Sequence, residues 1–127
     1  MASNTREKGQ RHQIQDEKRP HAYVRHVRIS SRKAKLMIDQ VRGKGLDEAL
    51  AILRLTAHAA SPILLKLISS AAANAVNNLD MDRDSLFIAE IYANPGPTLK
   101  RFMPKARGSA TSMFRRTSHF GVVLDKR

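Results

Sequence analysis

The sequence predicts an α+β domain from which a long, basic β-hairpin protrudes. Apolar residues recur at helical spacing through the middle of the chain, and strand-like runs occupy 21–29, 85–93 and 117–124. Between the last two runs, segment 94–116 holds six Lys or Arg residues, three prolines, two glycines and no acid. A segment this basic with few large apolar side chains does not form a core, so we expect it to be exposed.

Composition points to a polyanionic partner. The chain has 127 residues, enough for one domain with a modest core, and 23 basic against 11 acidic residues give a net charge of +12. Between Glu90 and Asp125 there are 34 residues without an acid. The absence of cysteine excludes disulfides and Cys-based zinc sites and fits a reducing compartment, and we expect a cytoplasmic protein.

The N-terminal elements are a tail and an edge strand. Residues 1–20 are almost wholly polar, so we expect a basic tail that is flexible when no partner is bound. This tail is either inert or in contact with RNA. The single domain would then span 21–127. Within the strand 21–29, Val27 and Ile29 share one face, although alternation also places Tyr23 and Arg25 there.

Three helices follow. The first begins after Ser30 or Ser31 and ends near Arg42, the second is capped by Asp47 and ends near residue 55, and the third runs from Ser61-Pro62 to about residue 79. The first turn of helix one carries three cations, which the helix dipole disfavours, and this predicts an anion at that helix end. These cations are Arg32, Lys33 and Lys35.

The hairpin is predicted over about 85–124, with its tip at about 97–108. The strand 85–93 is apolar on both faces, which suits a strand covered by helices, and 117–124 pairs with it. An extended arm from residue 85 to 100 covers about 50 Å, whereas a compact chain of this length is roughly 36 Å across. The alternative is a folded-back loop of ordinary length.

No catalytic or metal motif is present. Asp80, Asp82 and Asp84 suggest a calcium loop, but that pattern needs Gly and Glu where the chain has Ser85 and Ile91, so turn residues are the better interpretation. We expect no cofactor and no enzymatic activity. His119 is either a structural histidine or a contact to nucleic acid.

Two aromatic residues lie among the hairpin cations. Phe102 and Phe114 are placed to stack on unpaired bases, as RNA recognition often requires. Alternatively, they pack across the ribbon against Met103 and Met113.

Four stretches resemble the bacterial form of the large-subunit ribosomal protein twenty-two family. They are RISSRKAKLMIDQVRGK at 28–44, SAAANAVNN at 70–78, GPTLKRFMPKARG at 96–108 and RTSH at 116–119, and the likeness covers about 22–127. The chain departs from the family pattern at three places: Ser31 replaces a common proline, Ser109 replaces the usual arginine after Gly108, and Asn94-Pro95 replaces an acid.

The resemblance implies three helices on a small three-stranded antiparallel sheet, with a long hairpin. It implies a structural constituent of the large ribosomal subunit, a monomer within the ribosome, that binds large-subunit rRNA and stabilises its fold during assembly. The hairpin would line the nascent-peptide exit tunnel, with neighbouring ribosomal proteins as partners, including large-subunit protein four at the constriction, and with the nascent peptide as a further partner.

The predicted rRNA-binding residues lie on the body and on the hairpin. Charge clustering and the resemblance together give Arg25, Arg28, Arg32, Lys33, Lys35, Lys100, Arg101, Lys105, Arg107, Arg115, Arg116 and His119. The tip that lines the tunnel is predicted to comprise Lys100, Arg101, Phe102, Met103, Pro104, Lys105, Ala106 and Arg107. Two other functions stay open from the residues alone: a DNA-bending protein with basic β-ribbon arms, and a ribonuclease using His119.

Overall fold

The computed structural model describes residues 19–127. Its helices are α1 (Ser31–Val41), α2 (Leu46–Leu55) and α3 (Ser61–Leu79), and its strands are β1 (His21–Val27), β2 (Leu86–Pro95), β3 (Leu99–Pro104), β4 (Ala110–Arg115) and β5 (Ser118–Lys126). Short 3-10 turns occupy Arg83–Ser85 and Ala106–Gly108. The predicted α+β fold class with three helices is confirmed.

The body is a three-stranded antiparallel sheet with the order β1-β5-β2, covered on one face by the helices. The helices contribute Ile38, Leu53, Leu64 and Ile68 to the core, and each is almost completely buried. Phe120, in the central strand, is buried against them. The last strand of the chain is therefore the centre of the sheet.

Two β-bulges correct the predicted strand faces. In β1 the register shifts between Val24 and Val27, and in β2 it shifts between Ile88 and Glu90. A bulge inserts one extra residue, so the alternation of side chains changes phase. The prediction that Tyr23 shares a face with Val27 is therefore wrong: Tyr23 is exposed and Val27 is buried.

The same effect corrects the second strand. The bulge places Ile91 on the same face as Leu86 and Ile88, and all three are buried. The opposite face carries Tyr92, which is 39% exposed. The expectation that helices cover both faces of this strand is wrong.

Two predicted helix caps lie one or two residues from the observed ones. Helix α2 has Gly45 as its N-cap, and Asp47 lies in the first turn. There its negative charge stabilises the helix by interacting with the positive end of the helix dipole, although its side chain makes no capping hydrogen bond. Helix α3 has Ala60 as its N-cap, so Ser61 is the first helical residue and Pro62 follows it.

The N-terminal end of the described chain is attached to the sheet. The amide of Leu124 donates to the carbonyl oxygen of Pro20 over 2.8 Å, and the Arg19 guanidinium pairs with the Glu90 carboxylate at 2.8 Å. Residues 1–18 of the predicted tail lie outside the described residues. Within residues 19–127, none of the helices combines the length and apolar character needed to span a membrane.

The hairpin extends from the sheet in two segments. Strands β2 and β5 form its proximal part, and β3 and β4 form a separate two-stranded ribbon beyond an interruption at residues 96–98. All of β4 and all of β3 except Leu99 are exposed. We call β3, β4 and the turn between them the distal ribbon. Its paired, exposed strands do not match the alternative of a folded-back loop.

Candidate nucleic-acid interface

The distal ribbon has two chemically different faces. Its register is given by the cross-strand pairs Lys100–Phe114, Arg101–Met113, Phe102–Ser112 and Met103–Thr111. Side chains directly opposite each other share a face, and successive residues alternate. Phe102 and Phe114 therefore lie on one face and Met103 and Met113 on the other. The alternative in which each Phe packs against Met across the ribbon is wrong.

The apolar side chains of the distal ribbon are largely open to solvent. Phe102 is 71% exposed and Phe114 is 51% exposed, and Met103 on the opposite face is 46% exposed. None of these residues belongs to the hydrophobic core cluster. The ribbon thus presents both aromatic and cationic groups to whatever covers it.

The turn of the distal ribbon lies at residues 105–109. Arg107 and Gly108 both adopt left-handed backbone conformations, with φ of 59° and 70°. The amide of Lys105 donates to the carbonyl oxygen of Ser109 over 2.8 Å, and the Ser109 hydroxyl donates to the carbonyl oxygen of Ala106 over 2.9 Å. Ser109, which departs from the family pattern, therefore helps to close the turn.

The predicted tip residues divide between this turn and the strand that leads to it. Lys105, Ala106 and Arg107 lie in the turn, whereas residues 100–104 form most of β3. Lys100 and Arg101 point to opposite faces, because they are successive residues of a strand. The cations therefore surround the ribbon rather than forming a single stripe.

The root of the hairpin is fixed by hydrogen bonds across its interruption. The Gly96 amide donates to the carbonyl oxygen of Thr117 over 2.9 Å, and the Thr117 hydroxyl donates to the carbonyl oxygen of Pro97 over 2.6 Å. A Cβ at Gly96 would lie 2.7 Å from the Thr117 hydroxyl oxygen and 3.1 Å from the His119 ring. Only glycine fits this close approach, so the two arms stay in register where the ladder is interrupted.

His119 has a structural role in the body. Its Nδ1 accepts a hydrogen bond from the His26 amide over 3.0 Å, and the two rings meet edge to face at 4.8 Å. His26 has a φ of 56° and lies within the bulge of β1, where the regular ladder leaves an amide without a partner. The imidazole of His119 provides that partner. Contact of its other nitrogen with RNA stays a prediction.

A cleft of about 740 Å³ separates the distal ribbon from the start of α1. Arg28 and Lys33 line it from the body, and Arg115, at the end of the distal ribbon, and Arg116, which follows it, line it from the hairpin. Two groups of cations far apart in sequence are therefore brought together. We call this space the root cleft.

The other predicted body cations lie outside the root cleft. Arg32 and Lys35 are exposed on α1, and Arg25 lies on the outer face of the sheet with its guanidinium carbon 5.1 Å from the centre of the Tyr23 ring. Ser30, the N-cap of α1, makes no capping bond with its side chain. The first turn of this helix contains no acid.

Four of the eight acids in residues 19–127 pair with cations outside the predicted site. The observed ion pairs are Arg19–Glu90, Arg42–Asp39, Lys44–Glu48 and Arg83–Asp47. Within residues 19–127, none of the predicted rRNA-binding Lys and Arg side chains forms an ion pair with a carboxylate. The carboxylates of this part of the chain therefore leave their charge unneutralised.

The aspartates at 80–84 have turn roles. Asp80 leaves α3 in a left-handed conformation with a φ of 49°, and Asp82 is the N-cap of the 3-10 turn Arg83–Ser85. Over the part of the chain that the structure describes, no cluster of three or more His, Asp or Glu side chains is arranged to hold a metal ion.

Sequence reasoning missed an aromatic row on the outer face of the sheet. Gly121 in β5 pairs with Tyr23 on one side and with Tyr92 on the other. A Cβ at Gly121 would lie 2.3 Å from the ring of Tyr92, so the missing side chain leaves room for the tyrosine. The sequence signal is a glycine within a strand, which often marks a place where another group approaches the backbone closely. A glycine does not indicate which residue makes that approach.

Comparisons with known proteins identify the family. Residues 22–125 match the family model described as ribosomal protein L22p/L17e. A protein of Acetivibrio thermocellus is 54% identical over 106 residues, which are 84% of this chain and 85% of the relative. A protein of Clostridioides difficile is 53% identical over 84% of this chain and 96% of its own length.

A third relative agrees with these two. The protein of Pediococcus pentosaceus is 49% identical over 84% of this chain and 90% of its own length. All three relatives are named large ribosomal subunit protein uL22. The chain belongs to the ribosomal protein L22p/L17e family.

Proposed function

We propose that the chain is a structural constituent of the large ribosomal subunit, that it binds large-subunit rRNA and stabilises its fold during assembly, and that its distal ribbon lines the nascent-peptide exit tunnel. As a member of a family of structural ribosomal proteins, the chain is not an enzyme. This membership also agrees with a cytoplasmic location, and it favours RNA over the DNA-bending alternative.

The observation that carries the proposal is the charge of the hairpin, which pairs with no carboxylate of residues 19–127. Six cations lie in the acid-free segment 94–116, and all six are exposed. Lys and Arg neutralise phosphates and release counterions, and Arg also binds phosphate in a bidentate manner. Phosphate groups of rRNA would neutralise these cations.

The exposed apolar groups give a second reason for a covering partner. A two-stranded hairpin is only marginally stable in water without something to pack on. The distal ribbon nevertheless carries Phe102, Met103 and Phe114 in the open. Unpaired rRNA bases on the aromatic face would bury these rings and order the ribbon.

The length of the hairpin supports a role at a distance from the body. From Leu86 to Pro104 the chain is extended apart from the interruption at residues 96–98, and 19 residues at about 3.3 Å each span roughly 60 Å. The body would anchor at the subunit surface, and the turn at Lys105 to Ser109 would reach the tunnel wall. There the neighbours would be large-subunit protein four and the nascent peptide.

The proposal is tested by removing charge from the tip. The variant Lys100→Ala, Arg101→Ala, Lys105→Ala and Arg107→Ala should bind large-subunit rRNA fragments more weakly. The slope of log affinity against log salt is negative, and its magnitude should decrease by about 3 to 4. The reason is that each of the four lost phosphate contacts contributes about 0.7 to 0.9 to this magnitude. Filter binding across a salt series measures both quantities.

The control removes two cations from the body. Arg42 and Arg83 are paired with acids there, so Arg42→Ala with Arg83→Ala should leave the salt slope nearly unchanged. Circular dichroism should show that the tip variant keeps its helices, since the tip is outside the core. An unchanged salt slope in the tip variant, or a wild-type protein that sediments free of large subunits in a sucrose gradient, refutes the proposal.

A further inference from the structure

The root cleft combines two kinds of chemistry in one space. Arg28, Lys33, Arg115 and Arg116 supply four positive charges, and Ile29 and Phe114 supply apolar surface. Among residues 19–127, no carboxylate lines the cleft. A volume of about 740 Å³ lies within the range of about 300 to 1,000 Å³ that is typical of small-molecule sites.

Phe114 is placed to take part in stacking. Half of the side chain is exposed, although the residue lines the cleft. The guanidinium carbon of Arg116 lies 5.7 Å from the centre of its ring. Aromatic rings and guanidinium planes are the two protein groups on which unstacked RNA bases settle, and here they are side by side.

The geometry favours an unpaired nucleotide over a duplex. In a duplex the flat faces of the bases are covered by their neighbours, and only phosphates and groove edges are accessible. Phosphate contact alone would use the four cations but leave Phe114 and Ile29 exposed to water. A base turned out of its stack would cover these apolar groups while its flanking phosphates remain among the cations.

We infer that the root cleft holds one unpaired nucleotide of the bound RNA, with its base against Phe114 and Arg116 and its flanking phosphates at Arg28 and Lys33. This inference rests on the proposed RNA binding and assigns it a specific subsite. The nucleotide joins the distal ribbon to the body, because its base contacts the ribbon and its phosphates contact the start of α1. Binding at this subsite therefore fixes the angle at which the hairpin leaves the body.

The test compares two RNA stem-loops that differ by one bulged 2-aminopurine, a fluorescent analogue of adenine. Stacking on aromatic side chains tolerates every base, so the choice of base does not limit the test. The full-length protein should bind the bulged RNA roughly 5- to 150-fold more tightly than the fully paired RNA, as expected for one stacked base. The fluorescence of the bulged base should decrease on binding.

Two substitutions of Phe114 and one control substitution at Phe102 test whether the Phe114 ring causes the preference for the bulged RNA. Phe114→Ala and Phe114→Leu should both abolish the preference for the bulge and the fluorescence change, with less than about a twofold effect on the paired RNA. Phe114→Leu keeps the ribbon apolar, so it separates stacking from folding. Phe102→Ala removes the other ring on the same ribbon face but outside the cleft, and it should retain the preference.

Each outcome separates this inference from the broader proposal. If the wild-type protein shows no preference for the bulge, or if the Phe114 variants keep it, the inference is wrong while rRNA binding stands. If Phe102→Ala removes the preference and Phe114→Ala does not, the base lies on the open ribbon instead. Failure to bind either stem-loop or any rRNA fragment refutes the proposed function itself.

Discussion

The replacement of Gly121 by alanine should reveal how the outer face of the sheet is packed. A Cβ built at this position lies 2.3 Å from Cζ and 2.4 Å from the hydroxyl oxygen of Tyr92. The ring must therefore move by more than 1 Å, since carbon atoms pack at about 3.5 to 4.0 Å. Tyr92 is 39% exposed, so the ring has open solvent into which it can rotate.

The size of the effect follows from two opposing terms. A tyrosine that is about 60% buried removes roughly 120 Å² from water, and loss of half of this area costs about 1.5 kcal/mol. Gly→Ala at an unstrained position stabilises by about 0.4 to 1 kcal/mol through the unfolded chain. We expect Gly121→Ala to lower the free energy of unfolding by about 0.5 to 1 kcal/mol.

The effect of Gly121→Ala on the free energy of unfolding should change sign when the Tyr92 ring is removed. In a Tyr92→Ala background the three atoms nearest to a Cβ at Gly121 are removed, so Gly121→Ala should raise the free energy of unfolding by about 0.4 to 1 kcal/mol. The double-mutant cycle, measured by urea denaturation, should give a coupling energy of about 1.5 kcal/mol. Equal destabilisation in both backgrounds would show that Tyr92 is not what Gly121 accommodates.

Two further substitutions test single polar groups of the body. His119→Ala removes the acceptor of the exposed His26 amide and should lower the free energy of unfolding by about 0.5 to 1.5 kcal/mol in urea; unchanged stability would mean that water replaces the imidazole without cost. Ser61→Ala should be neutral or stabilise by up to about 1 kcal/mol, because the Ser61 hydroxyl is buried and has no hydrogen-bond partner within residues 19–127. A loss of more than 1 kcal/mol for this variant would show that the hydroxyl has a partner after all.

Most of the architecture could be predicted because helices and turns are local. The apolar stripe Ala34, Met37, Ile38 and Val41 is wholly buried, as its spacing requires. The strands were predicted less well, because a single inserted residue changes which face a side chain occupies. Where a bulge falls depends on pairing with β5, which is far away in sequence, so no local pattern could indicate it.

In the candidate site, too, local features could be predicted from the sequence and long-range contacts could not. The exposure of the hairpin cations could be predicted from the absence of acids, which are the groups that would otherwise pair with them. The proximity of Arg28 and Lys33 to Arg115 and Arg116 could not, because it depends on where the distal ribbon leaves the sheet. The sequence allows two roles for His119, because its hydrogen bond to a bulge amide depends on the register of β1.

The strand order has a consequence for the synthesis of the protein. The central strand β5 is synthesised after the other four strands, and His21 at the start of β1 pairs with Val123 near the end of β5. Until residues 118–126 are available, β1 and β2 have no common neighbour, and the apolar faces of the three helices have no complete sheet to cover. Such non-local pairing slows folding, because a long loop must close before any contact stabilises it. We expect the nascent chain to expose the basic residues of its hairpin before the body has folded.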